Sequence, residues 1–488
     1  MAKRKRSNRP PQLQHGKKST PSQHDKRSRL CTPNPMRRKT ESASVPLLGG
    51  IAVVITAMQT LMHARIGFRL PIVMAGALLA RGRRTASSWF RAAGVKDDWD
   101  RFYQLLISTG KVAKPLAFPL LKLIFSRFDP GPDGYWKLAV DDSPTKRFGR
   151  HVEGANIHHH PTPGPVDSEW LYGHNWVCLA ILSTHPLWGV IALPLLSMLY
   201  VRQCDVPVLD AKHGWKFQTK HQLALQMINQ VICWLRVLGS RSKTLVVFDG
   251  AYATYDLITS LTKLNITVVS RLRSNAKLFD LPPARKAGTR GRPRKYGYNR
   301  IDLSKRSKHK QGWQTISYAC RGVAVLRHYK TFLATTTISE GPIRVVILKF
   351  DNGETAAYFS TEIEMPVEML LETVADRWAI EEFFHDTKET WGAGKQQVRN
   401  VWSNIACWNI NAWLYGLVEL ECWDTPVEQL VDRSDRPWDN PDRRPSHADR
   451  RREIAHKMLR NRFMEELPAA QQTPKIIALI DELLCLAA

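Results

Sequence analysis

The 488-residue sequence has few cysteines, and none of them is spaced for a structural zinc site. Its eight cysteines are scattered without a C-x-x-C pair, which argues against both a zinc module and a disulfide framework. A secretory signal is also missing, because the basic N-terminus is long and no apolar region with a small-residue cleavage site follows it promptly. No internal repeat is present. These absences favour a protein of a reducing, intracellular compartment.

Long apolar runs free of polar residues are lacking as well. The uncharged stretches 42–64 and 177–201 are nominally long enough to cross a bilayer. The first contains a Gly-Gly pair, and the second contains two prolines and the Ser183-Thr-His185 run. Because the buried strands and helices of a soluble core have the same pattern, we expect no membrane span.

Acidic residues are scarce, which points to a polyanionic partner. Lys and Arg outnumber Asp and Glu by 71 to 44, a formal charge of +27. The first 40 residues hold 13 Lys or Arg and one acid, Asp25, so residues 1–44 are predicted to be a disordered basic tail. The tail is either a solubilising arm or an arm that binds DNA. The rest of the chain still carries +15, so the basic character is not confined to the tail.

Residues 45–130 have helical periodicity and form a predicted N-terminal DNA-binding domain. Between its apolar clusters stands Arg81-Gly-Arg-Arg-Thr-Ala-Ser-Ser-Trp-Phe-Arg91, in which Thr85 is placed to cap a helix. Arg83 and Arg84 are therefore candidate DNA contacts. A helix-turn-helix reader and a helical bundle with a basic surface both fit this pattern.

The middle of the chain alternates strands and helices as a mixed α/β sheet does. Residues 131–281 contain three neighbouring predicted strands, a helix, and then a strand, a helix and a strand. Residues 282–365 form a predicted β-rich insertion that begins with the basic segment 285–310. Residues 366–425 return to the core through a helix, and residues 426–488 are predicted to be a C-terminal helical region.

Two acids follow apolar strands of this predicted sheet. Asp141 follows Trp-Lys-Leu-Ala-Val, and Asp249 follows Thr-Leu-Val-Val-Phe. A carboxylate at the end of a buried strand is rigidly held yet open at the sheet edge, which suits a metal ligand. Acids also end strands as ordinary turn or cap residues, so the interpretation depends on a third acid.

A third acid lies on the predicted helix that follows the insertion. Arg377, Glu381, Phe384 and Lys388 stand four, three and four residues apart, so they share one narrow helix face. The arginine can fix the Glu381 carboxylate or hold a phosphate, and Lys388 extends the positive edge. An ordinary salt-bridged surface helix has similar spacing, but the interleaved apolar residues indicate a helix packed on a core.

Three carboxylates at one sheet edge are the ligands that divalent cations require. Hard cations take oxygen ligands, and two of them can clamp the attacking and leaving oxygens of a phosphoryl displacement. Asp141, Asp249 and Glu381 are therefore predicted to hold two Mg²⁺, with Mn²⁺ as a substitute. Three such anions repel one another without a cation, so a metal-free site is expected to be strained.

The sequence resembles bacterial insertion-sequence transposases of the DDE class, in the insertion-sequence-four and seven-hundred-one groups. The likeness rests on the segments Leu138–Gly149 and Val246–Tyr252 and on the family's third-acid motif. That motif reads Tyr, two residues, Arg, three residues, Glu, six residues, Lys. Arg377, Glu381 and Lys388 match its spacing. The tyrosine position is Val374 here. The three motifs occur in the family's order, and the resemblance extends over roughly residues 80–460. It implies an RNase H-like mixed sheet flanked by helices, interrupted by the β-rich insertion, after an all-helical N-terminal domain.

The first acid has an alternative, because Asp142 adjoins Asp141 and only one of two successive strand residues points to a given face. The pattern of an apolar run, Asp, any residue and Ser or Thr favours Asp141. Asp142 then orients the loop that carries Lys146, Arg147 and Arg150, all candidate phosphate contacts.

Further candidate DNA contacts lie in the basic insertion. Arg292, Arg294 and Lys295 are predicted to bind the DNA backbone. Tyr296, Tyr298 and Trp313 either stack on an unpaired base or pack ordinarily. Trp313 is preferred, since similar transposases that form a hairpin intermediate use an insertion-domain tryptophan in this way. His158-His-His160 has metal-ligand chemistry, but a surface loop of histidines is the commoner case.

The resemblance implies a transposase of the bacterial cytoplasm, associated with the nucleoid. It would bind the terminal inverted repeats of its element in double-stranded DNA, pair two ends as a homodimer, and catalyse Mg²⁺-dependent strand cleavage and transfer. The alternative is a DNA-binding derivative of the same fold that has lost catalytic activity, which the valine at position 374 suggests. The sequence leaves open the repeat, the target site and the excision route.

Overall fold

A large mixed β-sheet forms the centre of the protein. The computed structural model describes residues 47–131, 133–160, 168–285, 290–431, 433, 438–440 and 443–487, with side chains as far as residue 484. The predicted basic tail, residues 1–44, lies outside the described residues. So do residues 286–289 of the basic segment.

Twelve strands are present among the described residues. They are β1 (Tyr135–Lys146), β2 (Asn156–His159), β3 (Trp170–His185), β4 (Gly189–Tyr200), β5 (Lys243–Phe248), β6 (Ile266–Leu272), β7 (Leu278–Phe279), β8 (Arg300–Ile301), β9 (Gln314–Cys320), β10 (Val323–Thr336), β11 (Ile343–Lys349) and β12 (Thr355–Ser360). The apolar runs of the sequence thus form strands where they were expected, although most of the strands are longer than the runs. The stretch 177–201 is the body of the β3–β4 hairpin rather than a membrane helix.

The strands of the core run in the order β4, β3, β1, β5 and β6. β1 pairs antiparallel with β3, β3 pairs antiparallel with β4, and β5 lies parallel to both β1 and β6. The parallel strands are linked by helices, as such connections require. This order is consistent with the RNase H-like sheet that was expected.

The predicted insertion continues this sheet. β12 pairs antiparallel with β6, and β11, β10 and β9 follow in sequence as antiparallel neighbours. The backbone of the insertion is therefore hydrogen-bonded directly to the strand that follows the second acid. Because the edge of β6 is paired in this way, the core and the insertion share one continuous sheet.

Helices cover the sheet and form most of the two ends of the chain. They are α1 (Gly49–Thr60), α2 (Ala64–Gly67), α3 (Arg69–Leu79), α4 (Ala86–Ala92), α5 (Trp99–Lys111), α6 (Ala113–Leu116), α7 (Phe118–Arg127), α8 (Val206–His213), α9 (Lys220–Val237), α10 (Tyr255–Lys263), α11 (Leu303–Lys308), α12 (Val367–Asp376), α13 (Trp378–Glu389), α14 (Val401–Glu421), α15 (Val427–Leu430), α16 (His447–Glu466) and α17 (Pro474–Ala487). Short 3₁₀ turns occur at Gln203–Asp205 and Ala469–Gln471. As the sequence predicted, the Thr85 side chain caps α4 by accepting from the Ser88 N–H at 3.1 Å.

The N-terminal helices pack around α14, which is buried along nearly its whole length. At the crossing of α5 and α14, a Cβ on Gly110 would come within 1.9 Å of the Trp402 carbonyl oxygen. Only glycine allows the two backbones to approach this closely. The N-terminal helices thus share a core with a helix that lies almost 300 residues later in the chain.

A buried charged network fixes the C-terminal helix α16 to α14. The Glu419 carboxylate lies 2.5 Å from His447 Nδ1 and accepts from Arg450 Nη2 at 2.8 Å. Trp391 Nε1 donates to His447 Nε2 at 2.8 Å. Burial opposes ionisation of Glu419, but Arg450 and the His447 hydrogen bond outweigh it and lower the pKa of this carboxyl to about 2.

Among the described residues, no helix combines the length and the apolar character that crossing a membrane requires.

We predict that Glu419→Gln destabilises the protein, because it leaves the Arg450 guanidinium buried without a counter-charge. The free energy of unfolding should fall by about 3 kcal/mol at neutral pH, measured by urea denaturation. Since folding lowers the pKa of Glu419, its contribution is present above about pH 4.5 and is lost as the pH falls toward 2. Glu428→Gln, at an exposed position of α15, is the matched control, and an equal loss in both variants would contradict the assignment.

Candidate active site

The pairing of β1 with β5 brings two of the predicted acids side by side. Val140 is in register with Phe248, so the next residues along these parallel strands, Asp141 and Asp249, lie on neighbouring strands. Asp141 was expected at the end of its strand. It lies instead within β1, which continues to Lys146 because β3 remains paired with it. Asp141 marks the point at which the pairing with β5 stops.

The third acid reaches the same place from α13, on which Glu381 occupies the first turn. The predicted helix that follows the insertion is divided at Arg377 into α12 and α13. There the Arg377 N–H donates to Thr373, while the Ile380 N–H donates to the Arg377 carbonyl three residues back, in the tighter 3₁₀ pattern. Arg377 thereby stands at the junction of α12 and α13.

The guanidinium of Arg377 bridges two of the three acids. Its Nη1 donates to Asp141 Oδ2 and its Nη2 donates to Glu381 Oε1, both at 2.7 Å. All three side chains are largely buried, with exposed fractions of 18 to 32%. The arginine supplies the positive charge that two facing carboxylates require. The strain expected of a metal-free site is thus relieved by this residue.

Asp141 has a strongly perturbed carboxyl group. Burial and, to a smaller extent, the nearby charges of Asp142 and Asp249 raise its pKa to about 7, although Arg377 favours the ionised form. A buried carboxyl with a raised pKa that lies in a cleft is a candidate functional group.

Asp142 is held on the other side of β1. Its Oδ2 accepts from Lys220 Nζ at 2.6 Å and its Oδ1 accepts from the Tyr252 hydroxyl at 2.9 Å. Successive strand residues alternate between faces, so Asp141 meets α13 while Asp142 meets the start of α9. Both oxygens of Asp142 are therefore engaged in holding the loop after β5 and the helix α9.

These acids line one cleft of about 800 Å³. Its walls include Asp141, Asp249, Glu381, Arg377 and Lys388, so the structure brings together the acids and the two basic residues of the third-acid motif. Lys388 is mostly buried, and burial lowers its pKa. Val374, at the tyrosine position, lines a smaller adjoining cavity of about 200 Å³ that also contacts Asp249 and Arg377.

The side chains of the cleft have the chemistry of a divalent metal site, but their present arrangement does not form one. Among the residues that the structure describes, no three His, Cys, Asp or Glu side chains are grouped closely enough to hold a metal ion. Arg377 lies between two of the acids. Three carboxylates on one cleft are a suitable oxygen donor set, so Asp141, Asp249 and Glu381 fit a divalent cation once the arginine gives up one of its carboxylates.

The basic residues after Asp142 take different positions. Lys146 is exposed and lines the cleft, and Arg150 is exposed outside it. Arg147 was expected to contact DNA, but only 6% of it is exposed. Its guanidinium donates to Asn404, to the Gly394 carbonyl at 2.5 Å and to His174 at 3.2 Å. Arg147 therefore anchors β1 to the segments before and within α14 and does not reach the cleft.

The other predicted contacts lie outside the cleft. Arg83, Arg292 and Arg294 are exposed, and Arg84 and Lys295 are partly buried. Trp313 is also partly buried. Its Nε1 donates to the His309 carbonyl at 3.1 Å, and Lys330 Nζ lies 4.7 Å from its ring centre, an arrangement typical of ordinary packing. Of the histidines His158, His159 and His160, only His160 lines the cleft.

Comparison with known families identifies the chain. Residues 58–331 match the model of the DDE superfamily endonucleases, which is more than half of the sequence. The chain belongs to this family. No curated protein matches the sequence. Among solved structures, the piggyBac transposase synaptic complex with hairpin DNA is similar over 89% of this chain and 74% of that one, with 11% identity and a TM-score of 0.33. A likeness at that level carries no argument about mechanism.

Two residues of this DDE endonuclease that contact Asp142, Tyr252 and Lys220, were not predicted from the sequence. Tyr252 stands three residues after Asp249, and that spacing is the only local signal for its contact with Asp142. Lys220 lies 78 residues from Asp142, and nothing in its surroundings distinguishes it from other lysines at the start of a helix.

We predict that the affinity of the cleft for Mn²⁺ depends on pH through Asp141. A cation competes with the proton for this carboxyl, and with a pKa near 7 the ionised fraction rises about tenfold between pH 6 and pH 8. Calorimetric titration of the full-length chain should therefore show about tenfold tighter binding at pH 8, and Asp141→Asn should remove this dependence.

The controls for this titration are His160→Gln and His385→Gln, which replace the two histidines that line the cleft. Both variants should keep the tenfold change. If either one loses it, a histidine and not Asp141 is the titrating group.

Proposed function

We propose that this protein is a DNA transposase that cuts and rejoins the ends of a mobile element by metal-dependent phosphoryl transfer. The observation that carries the proposal is the single cleft lined by Asp141, Asp249, Glu381, Arg377 and Lys388, in a chain of the DDE endonuclease family. The net charge of +27 supports a nucleic acid as substrate.

The three acids would hold two Mg²⁺, or Mn²⁺ in its place. Bound there, the ions would activate water and stabilise the leaving oxygen of the cut strand. We assign the first-acid role to Asp141. Both aspartates line the cleft, but Asp141 shares Arg377 with Glu381 and has a raised pKa, whereas Asp142 is bound by Lys220 and Tyr252. Asp142 is thus a positioning residue.

Arg377 and Lys388 would bind phosphates next to the cut. In the metal-free protein Arg377 keeps Asp141 and Glu381 together. When cations take over that task, the guanidinium becomes available for a phosphate, which its planar donors match. Lys388 lies on the same wall with a partly desolvated ammonium group. The element ends are expected to be terminal inverted repeats paired by a homodimer.

We predict that Glu381→Gln abolishes strand cleavage while DNA binding persists. The substrate is a plasmid that carries the gene with its native flanking DNA, incubated with the full-length chain and Mg²⁺. Cleavage by the variant should fall by about a thousandfold or more, as expected on removal of a group that acts with others in one unit. Binding of the flanking DNA in Ca²⁺ should remain close to that of the wild type.

Glu382→Gln is the matched control, because Glu382 is the next residue on α13 and does not line the cleft. It should cleave like the wild type. Loss of binding by Glu381→Gln in step with the loss of cleavage would count against a catalytic role.

A catalytically inactive DNA-binding protein is the second candidate, and one observation favours it. The Arg377 bridge offsets part of the negative charge of Asp141 and Glu381 without any metal, which a protein that no longer needs cations could retain. Absence of cleavage by the wild type in both Mg²⁺ and Mn²⁺, with binding to the flanking DNA intact, would establish this alternative.

A further inference from the structure

A second basic cavity adjoins the cleft. It has a volume of about 450 Å³ and lies between the end of α3, the end of α13 and the helix α16. Its basic lining residues are Arg81, Arg84, Arg451, Arg452 and His456, which we call the arginine pocket. Among the described residues that line it, Glu389 is the single acid.

Several polar atoms of the arginine pocket are buried without a hydrogen-bond partner. They are Arg84 Nη1, Arg451 Nε and His456 Nε2. Buried polar groups are nearly always paired in proteins, and an unpaired one calls for a ligand or a water. These three atoms belong to residues that line one cavity, so the side chains around it have hydrogen-bonding capacity left over.

The guanidinium of Arg451 is fixed in place. Only 8% of the residue is exposed, and its Nη2 donates to the Leu78 and Ala80 carbonyls at 2.6 and 2.8 Å, at the end of α3. Burial and, to a smaller extent, the charges of Arg84, Arg81 and Arg452 lower its pKa to about 9. The arginines therefore repel one another without an anion among them.

Arg84 is also held in place by neighbouring residues. The Ala86 N–H beside it donates to the Gln396 carbonyl at 3.1 Å. A Cβ on Gly392 would approach Arg84 Cβ to 2.6 Å, so the glycine leaves the space that the Arg84 stem occupies. Because Gly392 also has a φ of +66°, other residues are strained at this position.

The arginine pocket lies next to the candidate active site. Glu389 lines both cavities, and Lys388, the preceding residue, lines the cleft. A DNA strand that lies along the cleft and passes the end of α13 would therefore reach the arginine pocket next.

We propose that the arginine pocket binds a phosphate group, and that its source is the DNA backbone just outside the cleaved segment. Arginine forks match the oxygens of a phosphate in geometry and charge. The phosphate site itself stands on the cavity and the cluster of arginines that lines it, whereas its DNA source rests on the proposed function.

The first arm of the test uses inorganic pyrophosphate and the full-length chain. Millimolar pyrophosphate should raise the thermal midpoint of the wild type by a few degrees over sodium chloride of equal ionic strength. The double variant Arg81→Gln/Arg84→Gln should lose most of this rise. Arg91→Gln/Arg101→Gln removes two exposed arginines of α4 and α5 that do not line the pocket and should keep it.

The second arm measures binding of the flanking duplex DNA as a function of salt. Removing one arginine that neutralises a phosphate makes the slope of log affinity against log salt shallower by about 0.9. The slope of the pocket variant, Arg81→Gln/Arg84→Gln, should therefore be shallower by about one to two. The control variant should keep the wild-type slope. If the pocket variant loses only the pyrophosphate response, the phosphate site stands and its DNA source is overturned in favour of a free phosphate compound. If it responds like the control in both arms, the phosphate site is refuted.

The outcome for the phosphate site is independent of the proposed function. DNA cleavage without a pocket-dependent pyrophosphate response refutes the phosphate site and leaves the transposase standing. A pocket-dependent pyrophosphate response without any DNA cleavage refutes the transposase and the DNA source, and leaves the phosphate site standing.

Discussion

The ion pairs of Arg377 with Asp141 and Glu381 are the interaction on which the candidate site depends. Two carboxylates from separate elements, one on β1 and one on α13, would repel each other across a desolvated cleft. The Arg377 guanidinium donates a hydrogen bond of 2.7 Å to each of them. Arg377 stands at the junction of α12 and α13. The same residue therefore marks the start of α13 and supplies positive charge to the acids. The same positive charge is what divalent cations would have to replace, so under the proposed function binding of the metal would require Arg377 to release at least one of its carboxylates.

Much of the fold follows from local pattern, because each element is specified by residues close together in the chain. The apolar runs ending at Val140 and Phe248 predict neighbouring buried strands, and their parallel register then places Asp141 beside Asp249. The spacing of Arg377, Glu381 and Lys388 predicts a shared helix face, and all three line the cleft. Thr85 caps its helix as expected, since a cap is specified within four residues.

The features that sequence could not predict are those set by contacts between distant segments. The different partners of Asp141 and Asp142 come from distant segments: Arg377 reaches Asp141 from α13, and Lys220 and Tyr252 reach Asp142 from α9 and from the loop after β5. Arg147 has the composition of a DNA contact, yet Asn404 and Gly394 hold it in the interior. The arginine pocket joins Arg84 to Arg451, residues more than 360 positions apart, and no local signal relates them.

The packing of the N-terminal helices around α14 bears on how the chain is synthesised. The surfaces of α1, α3 and α5 that contact α14 stay uncovered until residues 401–421 have been synthesised, and Gly110 packs against Trp402 within this interface. Contacts of such large sequence separation form slowly, and exposed apolar helices are prone to aggregate in the meantime. While the rest of the chain is being made, the N-terminal helices therefore present apolar surface of the kind that chaperones bind.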